Sequence, residues 1–224
     1  LEYVELLVKK GYAYETSTAI YFDISKLDKY PILSSINLED QKAGARVDID
    51  PEKRNPYDFA LWIKAPANHL MKWDSPWGPS YPGWHIECSC ISLKYLGEEL
   101  DIHCGGVDNI FPHHTNEIAQ TESYIGKKWC NYWVHTEHLN DSTGKMSKSK
   151  GEFLTVDLLI SKGYNPLSYR LLCLQSHYKK QLVFTYESLD IAQNTYNKLL
   201  NKIKNIKSLV QSTAVSYTHL RAHE

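Results

Sequence analysis

The chain has 224 residues, 42% of them hydrophobic and 23% charged, and carries a formal net charge of −1. That length allows one large or two small domains around a core, and the near-neutral total gives no global pull toward nucleic acid while leaving room for a local basic face. No apolar run approaches the roughly 20 residues of a membrane span and no signal peptide is legible; five scattered cysteines, an odd number, argue against a disulfide scaffold, so a soluble cytoplasmic protein is the expectation.

Residues 1–10 are amphipathic through Leu1, Val4, Leu7 and Val8 and read as a helix stopped by Gly11. This helix opens with neither an initiator methionine nor a cap, so preceding sequence is expected. Residues 12–24 have the aromatic and β-branched content of a strand or hairpin. Pro, Asn, Asp and Gly then recur over residues 25–82, which describes a loop-rich insertion with short strands such as 59–64.

Residues 84–96 read as a helix ending at Gly97. Residues 100–103 read as a short buried strand running into Gly105 and Gly106, residues 111–124 as a helix stopped at Gly126, and residues 129–139 as another strand. Strand, glycine turn, helix, strand is the rhythm of a parallel α/β sheet. Residues 156–162, closed by Gly163, and 166–175 are helical in pattern. From 188 to 210, Ala192, Tyr196, Leu199, Ile203, Ile206 and Val210 fall within roughly 80° of one another at 100° per residue, one stripe of a long helix suited to a bundle. Residues 215–224 break that period, and 211–224 read as a non-native tail outside the fold.

Three groups of residues could carry chemistry. His113 and Glu117 are four apart on a predicted helix and project from one face. Cys88, on the preceding helix, could complete a zinc set with them; Cys90 is about 200° away around that helix, so at most one of the two thiols faces the site. A buried core thiol with a surface histidine pair has the same spacing, and spacing alone favours that plainer reading. Gly106 and Asp108 follow a strand, where a nucleotide could approach the backbone; a turn with no ligand looks the same. Lys145-Met146-Ser147-Lys148-Ser149 lies between Gly144 and Gly151, a hinged cationic loop able to close over phosphates, although a solvated Lys/Ser linker is the commoner use of such a run.

Taken together the motifs are more specific. Lys145 to Ser149 resembles the KMSKS signature of class I aminoacyl-tRNA synthetases. Gly83-Trp84-His85-Ile86-Glu87-Cys88, Asp101-Ile102-His103, Gly105-Gly106-Val107-Asp108 and Phe111-Pro112-His113-His114 through Asn116-Glu117-Ile118-Ala119-Gln120 resemble the cysteinyl-tRNA synthetase family in order and spacing. So do Ala43-Gly44-Ala45-Arg46-Val47 and Lys53-Arg54-Asn55-Pro56.

The resemblance implies an α/β fold, the C-terminal part of a Rossmann-like catalytic domain with an inserted loop-rich region, followed by the start of a helical bundle. Residues 1–82 would be the insertion, 83–140 the second Rossmann half, 141–187 the KMSKS loop with stem-contact helices, and 188–210 the first helix of an anticodon-binding bundle. It implies Zn2+ on Cys88, His113 and Glu117, with a fourth, cysteine ligand lying outside this chain, and Trp84 lining the cysteine pocket. Lys145 and Lys148 would stabilise charge during catalysis, Lys148 touching ATP, with Gly106 and Asp108 beside the adenylate. The implied partners are ATP with Mg2+, L-cysteine and tRNA(Cys), with a monomer favoured and no membrane. A paralogue joining cysteine to an amino sugar shares the zinc site and loop, and a non-catalytic zinc or RNA-binding module is the reading from another class.

Overall fold

The computed structural model describes residues 1–33, 38, 50–141, 144–145 and 154–220, with only the backbone described at 144–145 and 211–220. The chain divides into two compact units, Leu1–His135 and Thr136–Glu224.

The first unit opens with α1 (Glu2–Lys9), whose Tyr3, Val4 and Leu7 are buried. Gly11, at φ +79, turns the chain out of the helix in a conformation open to residues without a Cβ. The expected hairpin follows as β1 (Ala13–Glu15) and β2 (Ala19–Phe22), and the loop-rich stretch after it contributes β3 (Phe59–Lys64) and β4 (Ser80–Pro82). These four strands form one antiparallel sheet in sequence order, with Phe22 opposite Phe59 and Trp62 opposite Pro82. Val4, Leu7, Ile20, Phe22 and Leu61 are wholly buried between the helices and this sheet, each burial worth about 1.5–3 kcal/mol.

Helix α2 (Trp84–Leu96) and helix α3 (Thr115–Ile125) complete that core through Ile86 and Ala119. Gly83 fixes where α2 begins. Its N–H donates to the Leu61 carbonyl at 2.8 Å, and a Cβ at this position would lie 2.1 Å from the Ala60 carbonyl oxygen. Helix α1 meets α3 at the far end: Tyr3 stacks on Tyr124 at 4.2 Å, and Lys10 Nζ donates to the Ser123 and Tyr124 carbonyls, placing a cation where the dipole of α3 is negative.

Strand β5 (Leu100–Gly106) pairs with β6 (Cys130–Thr136). The Leu100 N–H donates to the Trp129 carbonyl where both strands begin, and α3 is the crossover between them, as a βαβ connection requires. Three expectations need correction here. Strand β5 is not buried along its length: Leu100 is, but Asp101 and Ile102 are exposed, because a two-stranded sheet leaves much of β5 uncovered. The helix expected over 111–124 is in two parts. A π-helical turn over Ile110–His114 contains Phe111 in extended geometry (φ −138, ψ 131) before α3 starts at Thr115, since Pro112 pushes the residue before it out of the helical region. The strand expected over 129–139 is also broken, into β6 and β7 (Leu139–Asp141).

In the second unit β7 pairs antiparallel with β8 (Gly144–Lys145) and parallel with β9 (Leu182–Val183). Helix α4 (Val156–Ser161) starts at Thr155, whose hydroxyl accepts from the Leu158 N–H; α5 (Pro166–Gln175) starts at Asn165, whose side chain accepts from the Leu167 N–H ahead of a proline in the first turn. Leu159, Leu172, Phe184, Leu189 and Ala192 form the core. Helix α6 (Tyr186–Leu220) is longer than the sequence pattern indicates. Of its apolar stripe Ala192 is buried while Leu199, Ile203, Ile206 and Val210 are exposed. The period break at Val215 does not end the helix, because residues 215–220 contain no Pro or Gly to stop it. Among the described residues no helix is long and apolar enough to cross a membrane.

The Gly83 contact carries a prediction. Replacing Gly83 with Ala forces β3 and α2 apart and should cost about 1–3 kcal/mol, read as a lower urea midpoint with an unchanged slope, whereas Gly11→Asn should change stability far less.

Candidate metal centre

Cys88 lies one turn into α2, His113 in the π-helical turn, and Glu117 in the first turn of α3. Packing of α2 on α3 brings one ligand atom from each within 4.8 Å of the others, and the same holds for His103, His114 and Glu117. Glu117 belongs to both sets. Its side chain has no solvent exposure; His113 Nε2 stands 3.0 Å from Oε1, His103 Nε2 3.2 Å from Oε2, and His114 Nε2 3.9 Å from Oε1. None of these ring N–H groups is well aligned on the carboxylate, so both buried oxygens lack a true hydrogen bond, an arrangement that buried acids rarely keep without a further partner.

The electrostatics follow from burial. Desolvation pushes the Glu117 carboxyl up, but the imidazoles of His103 and His113 outweigh it and hold the group down at about 2. Burial lowers His85 to about 4, with His113 adding to the effect. It lowers His114 to about 4 as well, against the pull of Glu117. Burial raises the Cys88 thiol, and the charges of Glu117 and Glu87 raise it further. A carboxylate, neutral imidazoles and a thiol that a cation can deprotonate are the donors zinc takes, and the two potential anions Cys88 and Glu117 balance one divalent charge.

The surroundings fix the ligands. His85 Nδ1 lies 2.9 Å from His113 Nδ1, which leaves the Nε2 of His113 on the Glu117 side. His114 Nδ1 is 2.8 Å from His135 Nε2. His103 is packed between the rings of Trp133, His114 and Trp129 at centroid distances of 4.7, 4.7 and 5.5 Å. Below the ligands α3 continues polar: Gln120 Nε2 and Thr121 Oγ1 donate to Ser89 Oγ, Tyr3 donates to Thr121, and Tyr30 donates to Asn116.

The expected triad therefore comes together in space. Trp84 is largely exposed with its ring 4.9 Å from His113, Cys90 packs against the core, and Cys104 is exposed. Gly106 ends β5, and Asp108 lies in the 3-10 turn Val107–Asn109. Lys148, the side chain of Lys145 and the stretch from Ala43 to Val47 lie outside the described residues.

Sequence reasoning assigned no role to His85, His103 or His135, and read the glycine pair for backbone approach by a nucleotide. At Gly105 the structure shows a different need: a Cβ there would come 2.5 Å from the His114 ring. The signal available was the number of histidines in and around the matched motifs.

The pKa shifts set an acid limb for the metal-free chain. His85 and His114 have folded values below the ordinary imidazole value, so the unfolded chain takes up more protons between about 6.5 and 4, and stability falls as pH drops through that window. Glu117 acts the same way from its ordinary value down to about 2. Unfolding free energy should thus be level between about pH 7 and 8 and decline below about 6.5, by at most about 3 kcal/mol for each histidine; Glu117→Gln should flatten the part below about 4.5 in urea titrations across pH.

Comparison with known proteins shows what the chain is similar to. The profile of the family described as tRNA synthetases class I (C) catalytic domain matches residues 1–194. A cysteine–tRNA ligase of Treponema denticola is 49% identical over 223 residues, covering 98% of this chain and 45% of that protein. One from Thermococcus gammatolerans is 49% identical over 217 residues, 97% of this chain and 45% of the relative, and one from Pyrococcus abyssi 50% over 194 residues, 87% and 40%. The chain spans less than half the length of these relatives.

Proposed function

This chain belongs to the class I (C) tRNA synthetase catalytic-domain family, and from that membership we propose that it acts as part of a cysteine–tRNA ligase, which activates L-cysteine with ATP and passes the cysteinyl group to tRNA(Cys). The observation that carries the reading is the convergence of half-buried Cys88 with buried His113 and Glu117 within 4.8 Å.

These three residues would hold zinc. When bound, zinc supplies a soft cationic centre that favours a substrate thiolate and matches a serine hydroxyl poorly. That selectivity is needed because an apolar pocket converts a one-atom difference into only about 1–3 kcal/mol. The chain's own groups do the rest. His85 fixes the ring of His113 through Nδ1, and Trp84 walls the approach to it with an exposed indole. Gly106 and Asp108 line the adenylate at the end of β5. Activation is in-line attack of the cysteine carboxylate on the α-phosphorus of ATP with loss of pyrophosphate, which requires no protein nucleophile. Lys145 and Lys148, with Mg2+ accompanying ATP, stabilise the charge developing on the leaving group.

In the full-length protein, cysteine-dependent ATP–pyrophosphate exchange is expected, with Cys88→Ala lowering kcat/KM for cysteine by about 100-fold or more, since even outer-shell losses at metal sites cost 10- to 100-fold. The 224-residue chain alone should show no exchange, because three ligands and one ATP loop make only part of the site. Exchange by this chain alone, or a full-length protein indifferent to Cys88→Ala, would contradict the proposal.

A further inference from the structure

Two overlapping donor sets share one carboxylate, and their charges separate their roles. Cys88, His113 and Glu117 offer two potential anions, enough to neutralise one divalent cation. His103 and His114 add none. A second dication beside the first would have no anion of its own in a buried site, and an uncompensated buried charge costs several kcal/mol. The second set is therefore better suited to donating protons than to holding a metal.

Its geometry shows toward what. Glu117 Oε1 has His113 Nε2 at 3.0 Å, and the other oxygen, Oε2, has His103 Nε2 at 3.2 Å. Both oxygens are buried. His103 is itself packed between Trp129, Trp133 and His114, so its ring is held where it stands. The ring N–H is off line for a hydrogen bond, but a terminal carboxylate torsion is broad and soft, so Glu117 can turn into alignment at little cost.

Resting on the zinc reading above, we infer that His103 is a positioning residue for Glu117: its Nε2–H holds Oε2 so that Oε1 stays directed at the metal shared with Cys88 and His113. Without it the carboxylate is free to rotate Oε1 out of the ligand set. His135, whose contact is with His114 rather than Glu117, has no such part.

Cobalt(II) titration of the 224-residue chain tests this, since a thiolate ligand gives an intense charge-transfer band that zinc lacks. The unsubstituted chain should bind one equivalent with a band that Cys88→Ala abolishes. His103→Leu, which preserves volume but not the donor, should weaken binding about 10- to 100-fold while the far-UV circular dichroism of the metal-free chain stays that of the folded protein. His103→Gln, whose amide reaches as far as Nε2, should restore affinity to within about threefold. Should His103→Leu fail to fold, His103→Asn, too short to reach Oε2, takes its place against Gln. Equal affinity in the Leu (or Asn) and Gln variants, or two equivalents of cobalt bound, overturns the inference and leaves the zinc reading intact. Where the three ligands of this chain hold cobalt too weakly for a band, the same variants are compared in the full-length protein, and absence of the band there overturns both.

Discussion

A carboxylate with no solvent exposure, Glu117 on α3, constrains the whole first unit. Removing an anion from water costs several kcal/mol unless charges and donors gather around it, and the fold gathers them from three directions. His113 comes from the turn before α3, His103 from β5, and Cys88 from α2. The buried face of α3 is polar for the same reason. A helix that carries Glu117 inward also carries Thr115, Asn116, Gln120 and Thr121 inward, and each of the last three has a hydroxyl partner on another element.

That polar helix cannot be held by an apolar stripe of its own, so other elements hold it. The aliphatic core lies between α1 and the antiparallel sheet, and α3 joins it through Ala119, with Tyr124 packed against it. Helix α1 grips the end of α3 remote from the ligands, with Lys10 on its last carbonyls and Tyr3 stacked on Tyr124. Stability is supplied at one end and chemistry at the other.

Much of this was legible in the sequence. The bounds of β3, α2 and α5 match the reading from glycine, proline and periodicity, because each is delimited by strong local signals: a proline in the first turn of α5 after Asn165, and Gly83 and Gly97 around α2. The misreadings share a cause. Phe111 looked helical because its neighbours are, but Pro112 governs its backbone; β5 looked buried as a short strand running into the glycine pair, but burial depends on neighbouring strands that no local window reports. The candidate triad of Cys88, His113 and Glu117 was visible as spacing and became specific only alongside the other motifs. Its supporting histidines carried no periodicity, since they come from β5, β6, α2 and the π-helical turn and meet only in three dimensions.

The abutment of Gly83 on the Ala60 carbonyl has a wider meaning. Trp84 and His85 follow directly, and His85 also stands edge-on to Phe59 at 5.7 Å, so the first turn of α2 is referenced to β3 twice. The four-stranded sheet thus acts as a datum surface for the candidate ligands rather than as an appendage. An offset in β3 passes through His85 to His113 with little slack to absorb it, at a place where half an ångström separates a productive site from a loose one. Strand residues remote in sequence from Cys88, His113 and Glu117 thereby share in setting how closely those three side chains are held together.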